Sequence, residues 1–298
     1  MTFNPNSDIS GSNVRKRGRG RGTAIGVGGG GLAVVAVFLI AQFTGIDLSG
    51  LVGGGGSQGG PAPESTSLAE CQTGEDANES VECLMVGAGA SIDDFWVENY
   101  SAVAGNEYRT PSFDLFEAST TTGCGSASSA TGPFYCPGDE TIYIDTSFFQ
   151  QLRQPPFDTT GGPLAQLYIA AHEWGHHIQA ISGIMESADR SGTGPDSDSV
   201  RIELQADCFA GAWVAAASET DDAKGTNYLE TPTQAQVTDA LDAAAAVGDD
   251  RIQEGSGQGV NSEAWTHGSS EQRQRWFTTG YEQGPGACDT FSVNGSQL

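Results

Sequence analysis

Residues 167–183, LYIAAHEWGHHIQAISG, decide how this chain is read. Apolar side chains recur there at helical spacing, and within the run stands His172-Glu173-Trp174-Gly175-His176. A spacing of four sets the two histidines about 40° apart on one helix face, one turn above the other, where both imidazoles can grip one Zn²⁺. Glu173 is adjacent to the first of them, placed to take a proton from an attacking water and hand it to a leaving amine. Three of the chain's four histidines fall within these few residues, which argues against an incidental set of surface or core histidines. His177 lies about 100° round the helix from His176 and reads as structural.

A catalytic zinc usually takes three protein ligands and keeps a position open, so a third donor is expected. Residues 198–214, DSVRIELQADCFAGAWV, supply Glu203 on an otherwise apolar helix face, with Asp207 one turn later. Burying Glu203 without a metal would cost several kcal/mol, on the order of the penalty for an unpaired ion. Asp207 is expected to hold the free ring N–H of a ligand histidine, His172 by choice, and so fix its tautomer. A donor for the developing oxyanion is also needed, and His267 and Tyr168 are the candidates. Trp174 and Trp213 read as core.

Working outward, helices are predicted over 162–181, 197–218 and 231–247, with a last one after His267 capped by Ser269 or Ser270. Another is expected in 91–105, behind Ser91 as cap. Between them, 108–145 changes to short β-like runs such as SFDLFEAS and TIYID, separated by Gly, Ser and Pro. A small N-terminal sheet followed by a helical C-terminal part is an α+β fold. TIYID is the candidate edge strand for an extended peptide substrate. Six cysteines, Cys71, Cys83, Cys124, Cys136, Cys208 and Cys288, suit an oxidising compartment, and short loops favour pairing Cys71 with Cys83 and Cys124 with Cys136, leaving Cys208 with Cys288.

The charge divides the chain. Of 298 residues, 13 are basic and 38 acidic, a formal charge of −25 that excludes a nucleic-acid-binding surface. Five of the basic residues, Arg15, Lys16, Arg17, Arg19 and Arg21, fall before position 22, and from Asp47 onward the charge is −29. Residues 23–43, TAIGVGGGGLAVVAVFLIAQF, carry no charge and are long enough to cross a hydrocarbon core of about 30 Å. The expectation is a basic cytoplasmic stub (1–22), a transmembrane signal-anchor (23–46), a Gly/Ser/Pro-rich linker (47–67) and an extracytoplasmic domain (68–298). A cleaved signal is the alternative, although no small-x-small site directly follows the apolar run.

HEWGHHIQ (172–179), RIELQADCFAGAW (201–213) and HGSSEQRQRWFTTGY (267–281) together resemble the bacterial neutral zinc metallopeptidase family. The resemblance covers about 68–291, with its specific motifs in the last 130 or so residues. It implies a zincin-like fold of the gluzincin type, Zn²⁺ held by His172, His176 and Glu203, Glu173 as catalytic base, and often one N-terminal membrane span. The expected activity is that of a membrane-anchored endopeptidase acting on proteins or peptides. The competing expectation is a non-catalytic anchored zinc module whose acidic face binds a cationic partner; an intact H-E-x-x-H argues against it, since Glu173 has no purpose in a structural site.

Overall fold

The computed structural model describes residues 2–18, 65–155, 157–257 and 259–298. Its centre is a five-stranded sheet in the order β2-β1-β3-β7-β6, formed by β1 (Val14–Arg17), β2 (Ser65–Ser67), β3 (Ser112–Phe116), β6 (Phe134–Cys136) and β7 (Thr141–Asp145). The inner strands β1, β3 and β7 run parallel, and both edges, β2 and β6, are antiparallel to their neighbours. A separate hairpin pairs β4 (Ser119–Thr122) with β5 (Gly125–Ser128). Two helices, α1 (Gly74–Glu79) and α2 (Val81–Asn99), precede β3. Two short ones, α3 (Phe148–Gln151) and α5 (Ile184–Ser187), flank α4 (Pro163–Ile181) on either side, and α6 (Asp198–Ala216), α7 (Gln234–Ala246), α8 (Asp249–Ser256) and α9 (Ser270–Gln283) follow.

Local signals set most helix ends where the sequence puts them. Gly162 with Pro163 opens α4, and the side chains of Ser197, Thr233 and Ser269 cap α6, α7 and α9. The helix expected behind Ser91 instead begins eleven residues earlier, capped by Ser80. Ser91 is buried in its middle and accepts a hydrogen bond from the Trp213 indole at 3.1 Å. An uncharged small-residue run, Val86 to Ala90, packs there on every side, so no apolar stripe marks the true start.

Two glycine contacts draw the C-terminal helices together. A Cβ on Gly280 of α9 would stand 1.8 Å from the Cys208 carbonyl oxygen of α6, and one on Gly211 would stand 2.0 Å from that of Phe277. Backbone therefore meets backbone at this crossing, and any larger side chain would force the helices apart. The three disulfides are Cys71–Cys83, Cys124–Cys136 and Cys208–Cys288, the last tying α6 to the chain beyond α9.

Two expectations are corrected here, and a third falls outside the described residues. The basic stub is not a separate piece: β1 lies inside the sheet, and Phe3, Ile9 and Val14 are core residues. Arg17 donates to Asp114 at 2.7 Å and to the Tyr143 hydroxyl at 2.9 Å, while Lys16 pairs with Glu82 at 2.7 Å. The folded unit thus includes residues before Leu68, and the end of the linker forms strand β2. Arg17 stands opposite Ser65 in the β1–β2 ladder. The signal-anchor expected at 23–46 lies outside the described residues, and no helix among the described residues is long and apolar enough to cross a membrane. Finally, TIYID is β7, held between β3 and β6, so its backbone is already paired on both sides; the edge is β6.

Candidate metal centre

Helices α4 and α6 cross at Gly175, the second variable position of H-E-x-x-H. A Cβ there would lie 3.0 Å from the Ala206 Cα, so glycine lets the two backbones approach closely enough for Glu203 to face the histidines. One ligand atom each from His172, His176 and Glu203 lies within 4.8 Å of the others, and all three residues are buried. His172 Nε2 is 3.1 Å from Glu203 Oε2, and His176 Nε2 is 3.6 Å from Glu203 Oε1.

The other ring nitrogens are held from behind. His172 Nδ1 meets Asp207 Oδ1 at 2.8 Å; a carboxylate accepts, so Nδ1 carries the proton and Nε2 faces Glu203. His176 Nδ1 meets Gln179 Oε1 at 2.9 Å. The Gln179 amide is oriented by its own donation to the Ile202 carbonyl at 2.7 Å, which leaves Oε1 toward the ring and again directs Nε2 into the cluster. Both rings are thus set in the tautomer that a metal ligand needs.

Charges reinforce this arrangement. Asp207 also accepts from Arg273 Nε at 2.7 Å and from its terminal nitrogen at 2.9 Å, a two-pronged pair in which both side chains are buried. Burial alone would raise the Asp207 pKa, but Arg273 and His172 bring it below the ordinary value. For His172, burial opposes a charge, yet Asp207 and Glu203 outweigh it and raise the pKa to about 9. Burial lowers His176 to about 4, keeping that ring neutral. Glu203 is pushed up by burial and more strongly down by His176 and His172, so it is ionised. Glu173 differs: burial, with Glu203 adding, raises it to about 7, although the Tyr135 backbone N–H donates to it.

A divalent cation suits what these groups leave unsatisfied. Among the described residues no hydrogen-bond donor reaches the buried Glu203 Oε1, a costly state for a carboxylate oxygen that a metal would relieve. Two imidazoles and a carboxylate form a borderline-soft donor set appropriate to zinc, and a metal would displace the proton His172 otherwise holds. The cluster opens on a cleft of about 980 Å³, counting space open to solvent, bordered by Glu173, Tyr168, His267 and β6.

The remaining sequence candidates are placed as follows. His267 lies on the cleft wall, two residues before the Ser269 cap of α9. Its Nδ1 faces Asp249 at 3.2 Å, and its backbone N–H donates to the same carboxylate at 2.7 Å. Burial opposes its charge, but Asp249 and then Glu203 raise its pKa. Tyr168 gives its hydroxyl proton to Asp207, so the structure uses it behind His172 rather than toward a substrate. His177 is turned away from the cluster: Nε2 donates to the Arg109 carbonyl at 2.6 Å, and Nδ1 accepts from the Tyr135 hydroxyl at 3.1 Å. Trp174 and Trp213 are fully buried.

Sequence reasoning missed Arg273, Gln179 and Asp249. Arg273 left a readable trace, because it shares the buried face of α9 with Trp276, Phe277 and Gly280 at helical spacing, where a cation has no reason to be without a buried anion. Asp207→Asn is expected to lower zinc affinity by roughly 10- to 100-fold, read by competition with a chromophoric chelator, because the histidine would face a neutral acceptor. Unchanged affinity would show that Asp207 does not support the ligand.

The fold and this cluster define a class: an α+β domain with a buried two-histidine, one-carboxylate centre beside a sheet edge. Residues 6–291 match the family described as "Putative neutral zinc metallopeptidase", and the chain belongs to that family. An uncharacterized protein of Mycobacterium tuberculosis is 48% identical over 228 residues, covering 76% of each chain. The uncharacterized protein YpfJ of Escherichia coli is 36% identical over 268 residues, covering 87% of this chain and 86% of its own. No solved structure matches.

Proposed function

We propose that the protein is a zinc-dependent endopeptidase in which His172, His176 and Glu203 hold the metal and Glu173 is the general base. The observation that carries this is the opening of the three-donor cluster, with Glu173 beside it, onto a cleft along a sheet edge. A structural zinc is closed off by four protein ligands, whereas the group here has three among the described residues and faces open space. Zinc bound there supplies a Lewis acid that makes water a better nucleophile and the peptide carbonyl a better electrophile.

The chain's own residues do the rest. Glu173, with a pKa near 7, takes the proton of the attacking water and delivers it to the departing nitrogen. His267, held by Asp249, is the donor proposed for the oxyanion. An extended peptide would add to β6, a short edge with Pro133 and Pro137 on either side. The three disulfides support an oxidising, extracytoplasmic compartment.

The full chain with one equivalent of zinc is expected to cleave a reduced, alkylated protein substrate. Chelation should reduce cleavage at least 100-fold and zinc should restore it. Undiminished cleavage by metal-free protein would overturn the reading.

A further inference from the structure

We infer that the cleft selects a large apolar side chain beside the bond to be cut, and that it does not select a basic one despite the chain's acidity. The inference rests on the peptidase reading for its meaning in catalysis, but the selectivity belongs to the cleft itself. Away from the metal centre, the lining includes Pro133, Phe148, Phe157, Ile169, Val247 and Ile252. Phe148 and Phe157 meet edge to face with ring centroids 6.0 Å apart, a fixed aromatic wall. Ile169 stands on α4 one turn before His172, so an apolar surface adjoins the ligands on the same helix face. Val247 and Ile252, at the end of α7 and in α8, are half-buried and bring the opposite side of the wall. Apolar walls gain from excluding water with an apolar guest and offer nothing to a charged one.

Charge points the same way. A net charge of −25 suggests a preference for cationic substrates. In the cleft, however, Glu203 and Glu173 belong to the metal centre, Arg273 is tied to Asp207, and Arg190 has no ion pair among the described residues. A lysine or arginine of the substrate would meet the Arg190 guanidinium there, and among the described lining residues the carboxylates are Glu173 and Glu203 of the metal centre. The acidity lies elsewhere on the molecule.

The test uses the blocked peptides acetyl-Gly-Gly-X-Gly-Gly-amide, with X as Leu, Phe, Ala, Lys or Asp. Binding is measured by calorimetry on zinc-loaded Glu173→Gln protein, and cleavage sites in an unfolded protein are mapped with the wild type. The Leu and Phe peptides are expected to bind roughly 10- to 100-fold more tightly than Ala, as burial of one large apolar side chain predicts, with Lys no tighter than Ala. Mapped cuts should cluster next to Leu, Ile, Phe or Met. Ile252→Glu is expected to remove at least tenfold of the Leu preference; Ile252→Ala serves the same comparison if the charged variant melts early. Binding indifferent to X, or strongest for Lys, would overturn the inference. Cutting without apolar enrichment would overturn it too, while leaving the peptidase reading intact. Apolar-ordered binding with no cutting by the zinc-loaded wild type would uphold the selectivity and sink the peptidase reading alone.

Discussion

Glu173→Gln is expected to reduce turnover of an unfolded protein substrate by roughly 10²- to 10⁴-fold while leaving zinc content and fold unchanged. The amide has the size and shape of the carboxylate, and its oxygen can still accept the Tyr135 N–H that reaches Glu173. It cannot take a proton from water near neutral pH. Zinc should stay at one equivalent because the donors are His172, His176 and Glu203, with Glu173 outside the set. Measuring kcat, bound metal and melting temperature on one preparation separates the possible failures. Full activity would remove Glu173 as the base; loss of zinc would mean that it helps to hold the ion. Glu203→Ala is the counterpart, expected to lose metal and activity together.

Removing residues 1–17 is expected to abolish cooperative folding of the remainder. Phe3 and Ile9 are fully buried and Val14 nearly so. Each contributes about 1.5–3 kcal/mol by burial, so the three together are comparable with the whole margin of about 5–15 kcal/mol for a domain. Deletion also takes β1 from between β2 and β3, exposing the backbone groups of two strands. The Phe3 ring fills a groove where Gly87 of α2 has no side chain; a Cβ there would be 2.6 Å from it. Phe3→Ala alone should therefore lower the melting temperature by on the order of 10 °C. A chain starting at residue 18 that melts within a few degrees of the full protein would show that the arm is dispensable.

The two halves of the candidate metal centre were unequally readable. His172, Glu173 and His176 are neighbours along one helix, so their shared face follows from a period of 3.6 residues. Glu203 and Asp207 were found because two acids a turn apart on an apolar helix need a reason to be there. Gln179 was invisible: its value depends on the Ile202 carbonyl of another helix, which orients its amide. Arg273, 66 residues from Asp207, becomes its partner only where α9 crosses α6 at Gly211 and Gly280. His267 was noticed as one of few histidines, but Asp249, which holds it, was not.

At the N-terminus the same division separates what residue order suggests from what the fold does with residues 14–17. Basic residues before an apolar run are a membrane-topology signal when only their order is known, because the rule counts charges and not their partners. In three dimensions Arg15 and Arg17 face Asp114, Lys16 reaches Glu82 and Glu117, and the segment is a strand among parallel strands. Parallel pairing joins residues about a hundred positions apart and leaves no local pattern. The choice of edge strand failed for a related reason. Both β6 and β7 are short apolar runs, and which has a free side depends on where β3 lies.

What could be read from residue order alone was whatever repeats within a helix turn or closes within a short loop: the zinc motif, most helix caps, the α+β class and two of the disulfides, the third following by elimination. Strand order, the buried arginine behind His172, the apolar cleft and the place of the first 17 residues required the folded chain. Each depends on contacts between distant segments, whose loop-closure cost is recovered only when the whole core assembles.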